Sequence, residues 1–230
     1  MLQALLFDFD GVVADTEPVH FAMFQKVLAE IGLPLSEADY YEKYVGFDDK
    51  GCFSRVLAEH GRPVSPPVID DLVARKAGRY LDHIKRHLVI YPGVRELVRR
   101  AAAQYRLAIV SGALRHEIEF ILEEAGIRKE FGHITSAEDV RQGKPDPEGF
   151  LHAFAALRHT APTLTPRQCL VIEDSLPGIQ AGQAAGMKVL AVANTHAMEE
   201  LTTADARVLT LEAVNLEELA SRLFPKEPVS

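Results

Sequence analysis

Short, unbroken apolar runs that stop abruptly on polar residues recur along this chain, and they set the narrowest limit on its fold. Ala4-Leu5-Leu6-Phe7 stops at Asp8, Leu107-Ala108-Ile109-Val110 at Ser111-Gly112, and Leu170-Val171-Ile172 at Glu173-Asp174. Val189-Leu190-Ala191-Val192 runs toward Asn194, and a weaker Arg207-Val208-Leu209 follows. An apolar run this short, without alternation, is the pattern of a strand covered on both faces, as in a parallel sheet. Helical patterns separate the runs. Ile118, Ile121, Leu122 and Ala125 recur at helical spacing ahead of Gly126, and Ser175 can cap a helix that holds Ile179 and Ala184 and ends at Gly186. The alternation predicts an α/β fold, a doubly wound parallel sheet of Rossmann-like type, which binds ligands beyond the carboxyl ends of its strands. Each polar residue at a strand end is therefore a site candidate.

The stretch from Asp15 to about Lys85 follows another rule. Val19, Met23, Val27, Leu28 and Ile31 form an apolar helical stripe closed by Gly32 and Pro34, and Ser36 with Asp39 resembles a capping box. Ser65 and Pro66 open a further helix with Ile69, Leu72, Val73, Tyr80 and Ile84 on one side. No strand pattern interrupts them. The expected organisation is a core made of residues 1–14 and 86–230, with an all-helical insert, 15–85, read as a lid over the strand ends.

Composition narrows the partners. The 230 residues, 47% hydrophobic, suffice for one core and a modest second domain. With 33 acidic against 25 basic residues the formal charge is -8, which opposes binding to a phosphate backbone, so no nucleic-acid partner is expected. Cys52 and Cys169 each lie in an apolar stretch, without metal-ligand spacing or disulfide density, and read as buried thiols in a reducing compartment. The run Leu2 to Phe7 is cut off by Asp8 and Asp10, too soon for a signal peptide or a membrane span. A cytoplasmic protein with no membrane partner is expected.

Asp8 and Asp10 crowd the end of the first run, and Gly11 lets the backbone turn sharply behind them. Two neighbouring carboxylates imply a bound cation or one carboxyl kept protonated, although an acidic pair after a strand can also be a solvated loop or a helix cap. Glu173 and Asp174 supply a second pair of hard oxygen ligands that suit Mg²⁺. Ser111 and Gly112 offer a hydroxyl and backbone N–H groups suited to phosphate oxygens, and Lys144 in Gly143-Lys144-Pro145-Asp146-Pro147 offers a fixed positive charge. Each has a bland counterpart: caps for the acids, a turn for Ser111, a surface position for Lys144. Their joint occurrence in this order is what ordinary turn and cap chemistry does not explain.

Phe7-Asp8-Phe9-Asp10-Gly11-Val12-Val13-Ala14-Asp15-Thr16-Glu17, Val110-Ser111-Gly112, Lys144-Pro145-Asp146-Pro147 and Ile172-Glu173-Asp174-Ser175-Leu176-Pro177-Gly178-Ile179 together resemble, in order, the four motifs of the haloacid dehalogenase-like superfamily. The helical insert is similar to the cap of its β-phosphoglucomutase-like branch. The resemblance spans essentially the whole chain and implies an Mg²⁺-dependent phosphatase acting on a small phosphate monoester, such as a sugar phosphate. By that likeness Asp8 is the nucleophile that forms an aspartyl-phosphate, and Asp10 the general acid and base. The metal falls to Asp8, the Asp10 carbonyl, Glu173 and Asp174, the phosphoryl oxygens to Ser111, Gly112 and Lys144. Dehalogenases of the superfamily lack an acid at the position of Asp10, because a halide leaves without a proton, so its presence favours phosphate chemistry.

Thr16 and His20 match polar positions near hinge and substrate in the same branch, although His20 beside an apolar stripe can equally be a packed or capping histidine. The mutase carries an arginine shortly after a glycine in its cap, to grip a second phosphate; Val45-Gly46-Phe47-Asp48-Asp49-Lys50 has Asp49 there, with Lys50 or Arg55 as possible substitutes. The resemblance therefore implies a phosphatase, with a phosphomutase as the rival. A phosphonate hydrolase using Lys43 or Lys50 is a distant third. A catalytically silent phosphate-binding module is the alternative from another class. A monomer is expected.

Overall fold

A computed structural model describes residues 1–45 and 47–225, and these divide into two compact units, 1–14 with 90–225 and 15–89. Among the described residues of the first unit, six strands form one parallel sheet: β1 (Ala4–Phe7), β2 (Arg106–Val110), β3 (His133–Thr135), β4 (Cys169–Glu173), β5 (Lys188–Val192) and β6 (Ala206–Val208). Their order is β3-β2-β1-β4-β5-β6. The chain winds outward from β1 in one direction, then returns to place β4 on its other side, which creates a crevice at the reversal. Every residue of β1 and β4 is buried, as the unbroken apolar runs require.

The described residues of this unit also form α5 (Val94–Ala102), α6 (Arg115–Glu124), α7 (Glu148–Arg158), α8 (Leu176–Ala184) and α9 (Leu216–Leu223). The helix read around Ile118 and Ile121 is α6, whose Ile118, Ile121 and Leu122 are fully buried, and the one capped by Ser175 is α8, where the Ser175 side chain accepts from Gly178 N. On one side of the sheet Leu6, Val110, Phe150, Val171, Ile179 and Val189 share a single core cluster. The strand β3 escapes the sequence pattern, because it is three residues long and starts on His133.

In the second unit lie α1 (Glu17–Glu30), α2 (Glu37–Lys43), α3 (Asp49–Glu59) and α4 (Pro66–His87), and no strand occurs among its described residues. Ser36 caps α2 by accepting from Asp39 N at 3.1 Å. The helix α4 continues to His87, so the division between units falls at 89/90, beyond the expected residue 85. Phe24, Val27, Leu28, Tyr40, Phe53, Val56, Ile69 and Leu72 form this unit's own core. Gly46 lies outside the described residues. Cys52 and Cys169, one in each unit, are unpaired and buried. No described helix is long and apolar enough to cross a membrane.

Candidate active site at the carboxyl ends of the strands

The register of the sheet decides which side chains meet. Phe7 pairs with Ile109 on one side and with Ile172 on the other. The residue that follows Phe7 therefore emerges beside the last residue of β4: Asp8 N donates to Ile172 O at 2.9 Å, and Asp8 stands against Glu173. Ser111 follows the last residue of β2, with its N–H on Thr135 O at 3.0 Å. The loop ahead of α7 delivers Lys144 to the same place.

Lys144 uses all three ammonium donors there. It donates to Asp8 Oδ1, to Glu173 Oε1 at 2.6 Å and to the Val110 carbonyl at 3.2 Å, which fixes its head among three acceptors. Glu173, fully buried, is held at its other oxygen: Oε2 accepts from Asp174 N at 2.9 Å, Ser175 N at 3.0 Å and Ser175 Oγ at 2.9 Å. The Ser111 hydroxyl donates to Asp10 Oδ2 at 3.2 Å and accepts from Ala113 N at 2.9 Å. Gly112, next to it, is exposed at the start of the loop that leads into α6.

Two glycines make room for this packing. Gly11 has φ +82°, and a Cβ there would fall 1.9 Å from Asp174 Oδ2. At Gly178, in the first turn of α8, a Cβ would fall 1.7 Å from Glu173 Oε1.

The electrostatics follow from crowding. Burial pushes the Asp8 carboxyl up to about 8, with Lys144 working against that rise and Glu173 and Asp10 adding to it. Asp174 is likewise raised well above the ordinary range, by burial first and then by Glu173 and Asp8. Lys144 loses hydration on burial, but Asp8 and Glu173 outweigh that cost and raise its pKa. Asp8, Glu173 and Asp174 each offer a carboxylate oxygen within 4.8 Å of the others, a set of hard oxygens with one ammonium among three acids. Such a donor set fits a divalent cation, which would relieve the same repulsion that lifts the carboxyl pKa values.

Of the residues singled out in the sequence, Asp8, Asp10, Ser111, Lys144, Glu173 and Asp174 thus share one neighbourhood, while Thr16 and His20 belong to the second unit. Thr16 is buried, and its carbonyl accepts from Val19 N and His20 N at 2.9 Å each, opening α1. His20 is buried against Tyr80, ring centroids 4.6 Å apart. Its Nδ1 lies 2.7 Å from Lys76 Nζ, and since an ammonium can only donate, Nδ1 is the acceptor and the ring proton sits on Nε2. Lys76, fully buried on α4, also donates to Asp49 Oδ1 at 2.5 Å and lies 4.4 Å from the centre of the Phe24 ring.

Sequence reading passed over Lys76, because a lysine in mid-helix looks like any solvated one; only its phase, four residues before Tyr80 and eight before Ile84 on the apolar stripe, marks it. Asp49 is therefore engaged with Lys76, whereas Lys50 pairs with Asp70 at 3.2 Å and Arg55 with Glu59 at 3.2 Å, all four of them exposed.

Comparison with known proteins gives the chain its family. Residues 5–192 match the family described as haloacid dehalogenase-like hydrolase. Protein CbbY of Rhodobacter capsulatus is 32% identical over 99% of this chain and 99% of its own, and hexitol phosphatase B of Escherichia coli (strain K12) is 26% identical over 94% and 96%. The crystal structure of β-phosphoglucomutase from Clostridium difficile superposes with a TM-score of 0.86, covering 97% of each chain at 23% identity, a likeness of fold. The strand-end carboxylates, the lysine among them and the parallel sheet that gathers them have one common explanation: the chain belongs to the haloacid dehalogenase-like hydrolases.

Proposed function

We propose that this chain is a phosphatase for a small phosphate monoester, working through an aspartyl-phosphate on Asp8. The carrying observation is the convergence of Asp8, Lys144, Glu173 and Asp174 at the ends of β1 and β4, with Asp10 held by Ser111 beside them. An Asp8 oxygen attacks phosphorus, and the bond from phosphorus to the ester oxygen breaks in line with it. Asp10, protonated in this step, gives its proton to the leaving alcohol. As a carboxylate it then takes a proton from water, whose oxygen attacks phosphorus, breaks the bond to Asp8 and releases inorganic phosphate. Two displacements replace one, which matters for a reaction whose unaided rate calls for accelerations up to ~10²¹.

Attack of an anion on an anion needs counter-charge, and Lys144, fixed among its acceptors, supplies one unit of it beside the nucleophile. Asp8, Glu173, Asp174 and the Asp10 carbonyl would hold Mg²⁺, which when bound supplies Lewis-acid neutralisation of the phosphoryl oxygens. Ser111 and the Gly112 N–H are suited to hold those oxygens. The insert 15–89 is read as the cap that selects substrate, with Thr16 and His20 serving it. The name of the hexitol phosphatase relative supports a polyol or sugar phosphate as substrate class.

The test is release of inorganic phosphate from a panel of phosphorylated metabolites. Turnover should require Mg²⁺ and fall by more than about 10³-fold in Asp8→Asn, since the nucleophile itself is lost. Conversion of a hexose phosphate to an isomer without phosphate release would replace the phosphatase reading by a phosphomutase one, and absence of any turnover across the panel would leave a binding module.

A further inference from the structure

Two residues beyond the end of β5 reach into the site from a direction the four strand-end motifs do not use. The Asn194 side-chain amide donates to the Gly11 carbonyl at 2.7 Å. The Thr195 hydroxyl stands close to the Asp174 carboxylate. The same hydroxyl lies 2.8 Å from the point where a Cβ on Gly11 would stand, a point 1.9 Å from Asp174 Oδ2. The space that a side chain at position 11 would fill is thus taken by the Asp174 carboxylate and the Thr195 hydroxyl together.

The turn after β1 is pinned at both of its peptide planes. Gly11 N donates to Ala14 O at 3.0 Å, and in a trans peptide the Asp10 carbonyl must then point the opposite way. Asn194 fixes the following plane by holding the Gly11 carbonyl. Because β5 lies next to β4 in the sheet, and β4 next to β1, the residues after β5 can reach across β4 to touch both.

We propose that Asn194 and Thr195 are positioning residues for a divalent cation, Thr195 by orienting the Asp174 carboxylate and Asn194 by fixing the turn that presents the Asp10 carbonyl. The inference rests on the proposed reading of this site as a cation-assisted phosphoryl-transfer centre. The work of the two residues is to hold two ligand oxygens in one geometry, so that binding a cation orders nothing further, and partners of this kind typically carry about 10- to 100-fold in metal affinity.

The experiment is calorimetric titration of the metal-free full chain with MgCl₂ alone, with thermal unfolding of each metal-free variant alongside. Thr195→Val keeps the shape and removes the hydroxyl; its dissociation constant for Mg²⁺ should rise about tenfold or more. Thr195→Ser should return it to within about twofold of wild type, which a role in packing the threonine methyl group would not do. Asn194→Ala should weaken Mg²⁺ binding in the same direction. Should Thr195→Val not fold, Thr195→Ala against Thr195→Ser makes the same comparison.

Unchanged Mg²⁺ affinity in the hydroxyl-free variant, or failure of serine to restore it, overturns the proposal while leaving the site reading intact. Asp174→Asn separates the two levels: if it binds Mg²⁺ as wild type does, or if wild type binds none, the cation reading itself fails and the positioning roles fall with it.

Discussion

Glu173 Oε1 occupies the place where a side chain on Gly178 would begin, 1.7 Å from the ideal Cβ position. Gly178 is the third residue of α8 and is tied to the Ser175 hydroxyl at 3.1 Å, so the helix cannot easily back away. Gly178→Ala should force Glu173 out of its hydrogen bonds to Asp174, Ser175 and Lys144, with the cost of overpacking, about 1–3 kcal/mol. Urea unfolding and phosphatase turnover should both drop. An alanine variant with wild-type stability and rate would show that the carboxylate is not confined as described.

Removing the ammonium of Lys144 leaves three buried acids facing one another. Lys144→Met should destabilise the metal-free protein by about 3–5 kcal/mol, the range for leaving a buried charge unpaired. Added Mg²⁺ should restore part of that stability without restoring turnover, because cation binding relieves the repulsion while the fixed charge beside Asp8 stays missing. Denaturation curves with and without MgCl₂ check both halves.

Lys76 and Asp49 hold α4 to α3 inside the second unit. A double-mutant cycle with Lys76→Met and Asp49→Ala should give a coupling of about 0.5–3 kcal/mol. The lower part of that range is expected, since the Asp49 side chain keeps 18% of its surface in solvent. Strict additivity of the two substitutions would contradict the ion pair.

His133 gives a pH dependence whose sign can be worked out. Burial first, then His152 and Arg115, hold the imidazole below its ordinary 6.5, with Asp139 acting the other way. The unfolded chain takes up that proton near pH 6.5 while the fold resists it, so the unfolded state binds more protons in this window. The stabilising contribution is complete above about 6.5 and declines as pH falls toward the folded-state value. Asp8 and Asp174, whose raised pKa values let the fold hold protons in the same window, act in the opposite sense, so the effect is read as a difference: between pH 7 and pH 5 the urea midpoint of the wild type should fall relative to that of His133→Gln. A wild-type midpoint that gains on the variant's upon acidification would reverse the assignment.

What the sequence disclosed, it disclosed through hydrophobic periodicity. Leu5, Leu6 and Phe7, or Leu170, Val171 and Ile172, can hardly be anything except strands covered on both faces, and the polar residues that end these runs became the site because a parallel sheet aligns its carboxyl ends. Three things stayed hidden for physical reasons. His133–Thr135 is too short to show a period, and α3 carries Asp49, Lys50, Arg55 and Glu59 among its apolar residues, diluting its stripe. Lys76 acts through a partner 27 positions away, Asp49, and no local pattern announces a long-range hydrogen bond.

The strand order has a temporal side. Asp8 is translated well before its neighbour across the sheet, Glu173, and the Asn194 amide that braces Gly11 comes later still. Since β1 sits at the middle of the sheet, its edge toward β4 stays open until β4, which follows β2 and β3 in the chain, has been made. A growing chain therefore carries Asp8 through the making of β2 and β3 without Glu173 and Asp174 beside it, and the strand-end cluster is complete only once β4 has docked.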